Sequence, residues 1–401
     1  MKLISEYKKS EVGIIPKDWK VDIIKNLAKI STGGKNTQDR IDDGIYPFFV
    51  RSNKIENINS FSFDTEAVLT AGDGVGTGKV FHYINGKFDC HQRVYVIYNF
   101  NEQITGYFFY LYFSNYFLNR VVQMTAKSTV DSVRMDMIAL MHIPFPPTIN
   151  EQQNIVSIIK DVNLLITILE KIIIKKNNLK RAVLDDLFEK KIRLAGFNDN
   201  WETKILGNLG FIYGGLTGKT KSDFSEGNAS YVSFMNIMSN PIIKCNIFEN
   251  VRILPNENQN IVKKNDLFFN GSSETPDELA MCSTLLDDVD NVFLNSFSFG
   301  FRFYEDKKID TLFLAHYFRS KVGRKLIKSL AQGSTRYNLS KEAFLKLKIQ
   351  LPSLPEQNAI AKIIFDIDEE IALLNTRLNK TLKIKLAMIQ KLMTGKIRLL
   401  N

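Results

Sequence analysis

The sequence predicts an α+β fold: two globular α+β domains alternate with two long antiparallel helices, a coiled-coil spacer, in a pseudo-two-fold internal repeat. First, residues 150–194 recur as residues 355–399, with 16 identities in 45 ungapped positions, where chance would give about three. Second, both copies place apolar residues every three or four positions, which is the period of a helix. Third, a domain-sized segment containing short β-type runs precedes each copy.

These patterns predict four segments. They are a first globular domain (1–146), a central helical spacer (147–194), a second globular domain (195–351) and a C-terminal helical spacer (352–401). The two globular segments open alike, because five residues recur at a constant shift of 182. The matching residues are Trp19, Ile23, Asn26, Leu27 and Gly33, then Trp201, Ile205, Asn208, Leu209 and Gly215. The duplication therefore covers the whole chain.

Each globular segment begins with short β-type runs separated by Gly and Asn turns, such as YPFFV (46–50) and DLFFN (266–270). A helical pattern follows in each domain, over residues 105–124 and 311–330. This mixture predicts an α+β domain in both cases. The aromatic residues between Tyr107 and Phe117 could stack on bases, but their helical spacing favours a place in the core.

The two repeated stretches are each predicted to form one long helix. Beyond its first residue neither copy contains Pro, and Gly occurs only at Gly395, so both helices can run unbroken. A long helix with a narrow apolar seam needs a partner, and the obvious partner is its own duplicate, running antiparallel. The predicted seam and partner-docking residues are Ile155, Ile159, Val162, Leu169, Ile360, Ile364, Ile367 and Leu374.

Composition favours a folded cytosolic protein with a polyanionic partner. The formal net charge is +10 and the sequence pI is about 9.2, which makes nucleic acid plausible. The N-terminus lacks an apolar signal segment, and no apolar run is long enough to span a bilayer. Three widely spaced cysteines support neither a disulfide framework nor a zinc motif.

No motif predicts catalysis, a bound cofactor or a metal site in this chain. The Gly-rich run Gly72 to Lys79 departs from a phosphate loop, because Asp73 and Val80 stand where Gly and Ser or Thr are required. Asp277 with Glu305 and Lys307 resembles the acidic and lysine pattern of metal-dependent nucleases. Such short patterns are common, and a solvated turn is the favoured interpretation.

Candidate DNA-contacting residues come from Gly-rich turns, Ser/Thr loops and one basic stretch. Lysine beside flexible Gly-rich backbone can approach a phosphate, while Arg and Asn near hydroxyl groups are suited to base edges. The basic stretch, which includes Arg319 and Arg324, could equally be the solvated face of a helix. The candidates are Arg51, Lys79, Thr129, Arg134, Lys219, Thr220, Lys325, Ser334, Thr335, Arg336 and Asn338.

Several motifs resemble the specificity subunit of type I restriction-modification systems. The helix starts LPSLPEQNAI (351–360) and PPTINEQQNI (146–155) carry the likeness, with Asn150 replacing an expected proline. GIIPKDW (13–19), GSTRYNLSKEAF (333–344) and the helix endings KKIRL and GKIRL support it. The resemblance covers essentially the whole chain.

The resemblance implies two target-recognition domains, each binding one half of a split site on double-stranded DNA. It also implies that the helices set the half-site spacing and dock two methyltransferase subunits. Those partners and the restriction subunits, which translocate and cut DNA, would supply catalysis, S-adenosylmethionine, ATP and Mg²⁺. Two alternatives stay open: a stand-alone nuclease using Glu305 and Lys307, and a coiled-coil scaffold that binds no nucleic acid.

Overall fold

The computed structural model describes residues 7–124 and 132–400. The chain divides into two compact units, one formed by residues 1–170 with 376–401 and the other by residues 171–375. Each unit holds a mixed α+β domain, together with the beginning or end of each long helix. The predicted α+β class with two long helices is confirmed.

In the described part of the first unit, ten strands and three short or medium helices precede the first long helix. The strands are β1 (Tyr7–Ser10), β2 (Gly13–Pro16), β3 (Lys20–Ile23), β4 (Lys29–Thr32), β5 (Tyr46–Phe49), β6 (Ile55–Ile58), β7 (Phe63–Ala71), β8 (Phe81–Cys90), β9 (Val94–Tyr98) and β10 (His142–Phe145). The helices are α1 (Ile24–Leu27), α2 (Gly106–Met124) and α3 (Met135–Ala139).

A six-stranded sheet organises the first domain, in the order β4-β9-β7-β8-β5-β6. Its pairs are antiparallel except for β5 with β8. Helix α2 contributes Phe108, Phe109, Phe113 and Phe117 to the main hydrophobic core, where each is completely buried. The prediction that these aromatics form core is confirmed, since buried rings cannot stack on bases.

The remaining strands and short helices lie in the second unit. Its strands are β11 (Glu202–Ile205), β12 (Gly210–Gly214), β13 (Phe224–Val232), β14 (Glu249–Val251), β15 (Leu267–Asn270), β16 (Ser272–Ser273), β17 (Cys282–Thr284), β18 (Val292–Leu294), β19 (Ser298–Phe303), β20 (Ala331–Gln332), β21 (Tyr337–Leu339) and β22 (Lys348–Leu351). Two long helices stand before and after these strands in the sequence, α4 (Ile149–Phe188) and α9 (Leu354–Leu392). Four short helices lie between them in the sequence: α5 (Phe234–Ser239), α6 (Thr311–Arg319), α7 (Lys321–Lys328) and α8 (Lys341–Leu345).

The second domain is built around the four-stranded sheet β12-β19-β15-β17. The predicted helical pattern over residues 311–330 forms two helices instead of one. Ser320 is extended between them, and its hydroxyl accepts a hydrogen bond from the Gly323 backbone N–H, which caps α7. The side chain of Ser340 likewise caps α8, because its hydroxyl accepts a hydrogen bond from the Ala343 backbone N–H.

The long helices end earlier than the repeated stretches. Helix α4 ends at Phe188 and α9 at Leu392, and residues with positive φ follow at Lys190 and Gly395. Left-handed backbone terminates a helix. The KIRL endings therefore lie outside the helices.

The two long helices run antiparallel within each unit. In the first unit, Ile155 and Ile159 near the start of α4 share a core with Ile389 and Leu392 near the end of α9. In the second unit, the last residue of α4, Phe188, packs in one core with residues 360–364. The two helices therefore run in opposite directions, because the start of one lies beside the end of the other.

The predicted seam residues pack inside the chain. Five are buried (Ile155, Ile159, Leu169, Ile360 and Ile364), while Val162, Ile367 and Leu374 are half-buried. A surface for a partner protein must therefore come from other positions of the same helices. Among the described residues, no helix is long and apolar enough to cross a membrane.

Candidate nucleic-acid interface

Each domain presents a cleft at the ends of equivalent strands. The cleft of the first domain, termed the first cleft, has a volume of about 530 Å³. It lies where β7 ends, β9 begins and the segment before α3 crosses them. Its lining consists of Thr32, Gly72, Asp73, Gln92, Arg93, Tyr95, Ser132, Val133, Arg134 and Met135.

The second cleft, in the second domain, has a volume of about 760 Å³. It lies after β15, before β19 and beside the loop that precedes β21. Its lining combines aromatic, sulfur-containing, hydroxyl and charged side chains, namely Phe234, Met238, Ser272, Ser273, Glu274, Glu278, Phe297, Thr335 and Arg336. Both clefts therefore offer polar groups, but the second exposes more apolar surface.

Backbone hydrogen bonds show that the two clefts occupy equivalent places. The N–H of Gly72 donates to the Arg93 carbonyl (2.8 Å), and the N–H of Gly271 donates to the Phe297 carbonyl (2.9 Å). The carbonyl of Gly72 accepts from Val133 at 2.7 Å, just as that of Gly271 accepts from Leu339 at 3.2 Å. Arg93 and Phe297 are therefore equivalent positions of the duplicated fold.

In the first domain, the candidates Arg51 and Arg134 lie at or beside the first cleft. The Arg51 guanidinium contacts the Asp73 carboxylate at 2.8 Å, and Arg134 lines the cleft at the residue before α3. Lys79 is exposed and leads into strand β8. A phosphate loop leads into a helix, so the structure also disfavours that interpretation of residues 72–79. Thr129 lies outside the described residues.

In the second domain, three of the predicted loop residues gather around the second cleft. Thr335 and Arg336 line it, and the Arg336 guanidinium donates to the Ser272 hydroxyl at 3.0 Å. Asn338 pairs with Ser272 in the short β16–β21 ladder. Ser334 is exposed in the same loop.

Lys219 and Thr220 make bonds within the protein instead of joining the cleft lining. The Lys219 ammonium forms an ion pair with Glu257 and donates to the Arg252 carbonyl at 2.6 Å. Thr220 donates from its backbone to the Asp223 carboxylate at 2.9 Å. The charge of Lys219 is therefore already paired within the protein.

The basic stretch separates into inward arginines and outward lysines. Arg319 donates to the carbonyls of Ile237, Met238, Asn240 and Cys282. Burial lowers its pKa to about 10. Arg324 donates to the carbonyls of Pro276, Leu279 and Ala280.

Both earlier interpretations of the basic stretch, DNA contact and solvated helix face, are therefore wrong for the two arginines. Arg324 anchors the loop over residues 276–280, and Arg319 anchors the end of α5. Glu278 of the loop and Met238 of α5 both line the second cleft. Lys321 and Lys328 form ion pairs with Asp185 and Asp277, while Lys325 is exposed on α7.

Two charged groups of the nuclease pattern are engaged separately. Asp277 pairs with Lys328, and Lys307 pairs with Asp306, the residue beside Glu305. In the part of the chain that the structure describes, no group of three or more His, Cys, Asp or Glu residues could hold a metal ion.

Two ion pairs, one buried and one half-buried, were missed by the sequence reasoning, although their residues lie in the repeated motifs. The Arg398 guanidinium contacts Glu151 and also holds Asp18 at 2.8 Å. Burial opposes the charge of Arg398, but hydrogen bonds to Glu151 and Asp18 raise its pKa. In the second unit, Arg193 pairs with Glu356 at 2.8 Å. The arginine of each KIRL ending thus meets the glutamate that starts the other helix.

Comparisons with known proteins agree with this layout. The family model described as type I restriction modification DNA specificity domain matches residues 16–177 and 198–383. The putative type I restriction enzyme MjaX specificity subunit of Methanocaldococcus jannaschii is 25% identical, covering 98% of this chain and 96% of the relative. The MjaVIII specificity subunit of the same organism is 26% identical, covering 96% and 95%.

Solved structures share the fold. The S subunit of a type I restriction-modification system from M. genitalium superposes with a TM-score of 0.60, at 16% identity and 98% coverage of both chains. The HsdS subunit of Thermoanaerobacter tengcongensis gives a TM-score of 0.54, at 14% identity, covering 96% of this chain and 98% of that chain.

Proposed function

We propose, from the premise that this chain belongs to the type I restriction modification DNA specificity family, that each globular domain recognises one half of a split DNA site. The chain is a specificity subunit, which binds DNA and assembles with the other subunits of a type I complex. The main support for recognition by two separate domains is that they have equivalent clefts with different linings. Two different readers imply an asymmetric site. We place this activity in the cytoplasm.

A domain exchange tests this proposal. Residues 1–146 would be replaced by the matching domain of a relative, and the chimera expressed with its methyltransferase partner. Long-read sequencing of host DNA would then give the methylated motif. We expect one half of the motif to change and the other to stay the same. A simultaneous change in both halves would contradict separate reading.

We further propose that the helices dock two methyltransferase subunits through exposed apolar residues. Ile168 on α4 and Leu373 on α9 are equivalent at a shift of 205, as are Leu179 and Ile384, and all four are exposed. Because both copies expose apolar residues at the same positions, two copies of one partner fit better than a single partner.

Paired substitutions test the docking proposal. Ile168→Glu with Ile384→Glu alters the first unit, and Leu179→Glu with Leu373→Glu alters the second. Native mass spectrometry should show each double variant retaining one methyltransferase subunit instead of two. Lys175→Glu, a charge change at an exposed helix position, is the matched control and should retain both. Retention of two partners by both double variants would contradict the proposal.

We propose that the chain itself is not catalytic and leaves methyl transfer, ATP use and DNA cleavage to its partners. The support is that Asp277 and Lys307, two of the three residues of the nuclease pattern, form separate ion pairs with Lys328 and Asp306. The purified chain should neither methylate nor cleave DNA with S-adenosylmethionine, ATP and Mg²⁺ present. Metal-dependent cleavage that disappears in a Glu305→Ala variant would contradict this.

A further inference from the structure

We infer that the position shared by Arg93 and Phe297 reads one base in each half-site, with different chemistry in the two domains. Phe297 packs on the C5-methyl group of a thymine in the second half-site. Arg93 donates hydrogen bonds to the acceptor edge of a guanine in the first. This inference rests on the proposed function and deepens it, because it names the base chemistry that each cleft recognises.

The backbone of Phe297 is fixed while its side chain is left free. Its N–H donates to Asn295 Oδ1 at 3.0 Å, and its carbonyl accepts from Gly271. Asn295 is buried and donates to the Val232 carbonyl at 3.1 Å, so the support is itself rigid. Nevertheless 61% of Phe297 is exposed. The fold thus holds a large apolar side chain in a defined place without burying it.

The backbone of Arg93 is held in the first domain by the equivalent hydrogen bonds. Its N–H donates to His91 Nδ1 at 2.9 Å, and its carbonyl accepts from Gly72. Burial lowers the pKa of His91, which keeps the imidazole neutral and able to accept this bond. The Arg93 side chain is 64% exposed, and Asp73 lies 3.7 Å from its guanidinium. A neighbouring carboxylate orients the guanidinium and leaves donors available.

The two side chains match different groups in the DNA major groove. The thymine methyl is the apolar group on the edges of the base pairs, and aromatic side chains contact it. Phe297 lines the second cleft together with Phe234 and Met238, so the thymine methyl would contact apolar side chains there. Arg336 and Thr335 line the same cleft and are available to bind polar groups of the DNA. An arginine preferentially donates two hydrogen bonds to guanine O6 and N7. The first cleft, where Val133 and Met135 are the apolar residues, exposes less apolar surface than the second.

Base analogues test the thymine contact directly. After the methylated motif is known, the assembled complex would be titrated with duplexes in which each thymine of the second half-site, on either strand, is replaced by deoxyuridine. We expect one replacement to weaken binding about fourfold, as for loss of one buried methyl group. In Phe297→Ala the same replacement should have no effect, because the contact is already gone. Phe297→Leu should keep part of the discrimination.

Phe211→Ala is the matched control. Phe211 is an exposed phenylalanine of the same domain, on β12, and its ring lies 6.0 Å from that of Tyr304 instead of in the second cleft. This variant should discriminate thymine from deoxyuridine as the wild type does. Loss of discrimination in both phenylalanine variants would overturn the assignment to Phe297.

The guanine contact is tested in the first half-site with 7-deazaguanine, which lacks the N7 acceptor. One such replacement should weaken wild-type binding about tenfold and should have no effect on the Arg93→Ala variant. The deoxyuridine response in the second half-site should be the same in Arg93→Ala and wild type.

Three results would overturn the inference while leaving the proposed function intact. They are a second half-site without an A·T pair, a first half-site without a G·C pair, and analogue effects that persist unchanged in Phe297→Ala or Arg93→Ala. A wild-type complex that binds cognate and scrambled duplexes equally would instead contradict the proposed function itself.

Discussion

At the residue scale, the buried pair between Arg398 and Glu151 connects the end of the chain to the start of the first long helix. Only 4% of the Arg398 side chain and 2% of the Glu151 side chain are exposed. A buried charge that loses its partner is strongly destabilising, because neither water nor another ion can replace that partner. The pair therefore matters for stability mainly because the loss of either partner would leave the other charge buried and unpaired.

We predict that Arg398→Ala lowers the free energy of unfolding of the first unit by about 3 to 5 kcal/mol. Urea denaturation, followed by the fluorescence of Trp19 beside Arg398, measures it. The control is Lys362→Ala, which removes an exposed pair with Asp366 and should cost no more than about 0.5 kcal/mol. Equal losses in the two variants would contradict a special contribution from the buried pair.

Arg336 and Lys325 should affect DNA binding differently. Lys325 is exposed on α7, so Lys325→Ala should weaken binding to all sequences. The magnitude of the slope of the logarithm of the binding constant against the logarithm of the salt concentration should fall by about one. Arg336 lines the second cleft, and Arg336→Ala should relax the choice of base at about one position, by roughly 1 to 3 kcal/mol. Binding isotherms on cognate and random duplexes measure both. Identical effects on the two duplexes would remove Arg336 from the base-reading residues.

The misinterpretation of Arg319 and Arg324 shows what residue types alone leave open. Their spacing and charge match those of a DNA-binding helix, but their partners are backbone carbonyls, which every sequence contains. Only the folded loop reveals those acceptors. The ion pairs of Arg193 and Arg398 were more accessible to sequence reasoning, because both arginines and both glutamates recur at a shift of 205.

At the element scale, periodicity predicted helices and strands well and their ends poorly. Helices α2, α4 and α9 follow the predicted apolar patterns. The break at Ser320 and the early ends at Phe188 and Leu392 depend on capping and on positive φ at single residues. Such local choices change little in the apolar pattern, so periodicity cannot locate them.

The loop over residues 271–281 gives a prediction at this scale. Because Arg324 holds three carbonyls of the loop, Arg324→Ala should loosen one wall of the second cleft. We expect the second half of the methylated motif to become degenerate while the first half stays unchanged. Lys325→Ala, the next residue of α7 and exposed, is the control and should leave both halves of the motif unchanged. Degeneracy in both halves would indicate general unfolding instead.

At the scale of the whole molecule, duplication was the feature that sequence comparison revealed best. The paired glycines at a shift of 182 illustrate it: a Cβ at Gly33 or Gly215 would lie 2.0 Å from a carbonyl oxygen, of Cys90 and Asn295 respectively. Glycine is kept where backbone approaches backbone. The cleft linings could not be predicted in this way, because they are the part in which the two copies differ.

The contact between the long helices allows their length to be changed without changing their pairing. Lys176 and Glu370 form a hydrogen bond at 2.7 Å. Four residues inserted before Lys176 and four inserted after Glu370 would add about one turn to each helix on the same side of this contact. The apolar seams then stay nearly in phase, so the antiparallel packing can be preserved.

This double insertion should lengthen the helical spacer by about 6 Å. Since DNA rises about 3.4 Å per base pair, the unspecified gap between the half-sites should grow by about one or two base pairs, with both half-sites unchanged. The four added residues also rotate each helix by about 40° beyond a full turn. The DNA must change its twist to compensate for this rotation, which should lower activity. Methylation mapping measures the gap. A fully active double insertion with an unaltered gap would mean that the helices do not set the half-site spacing.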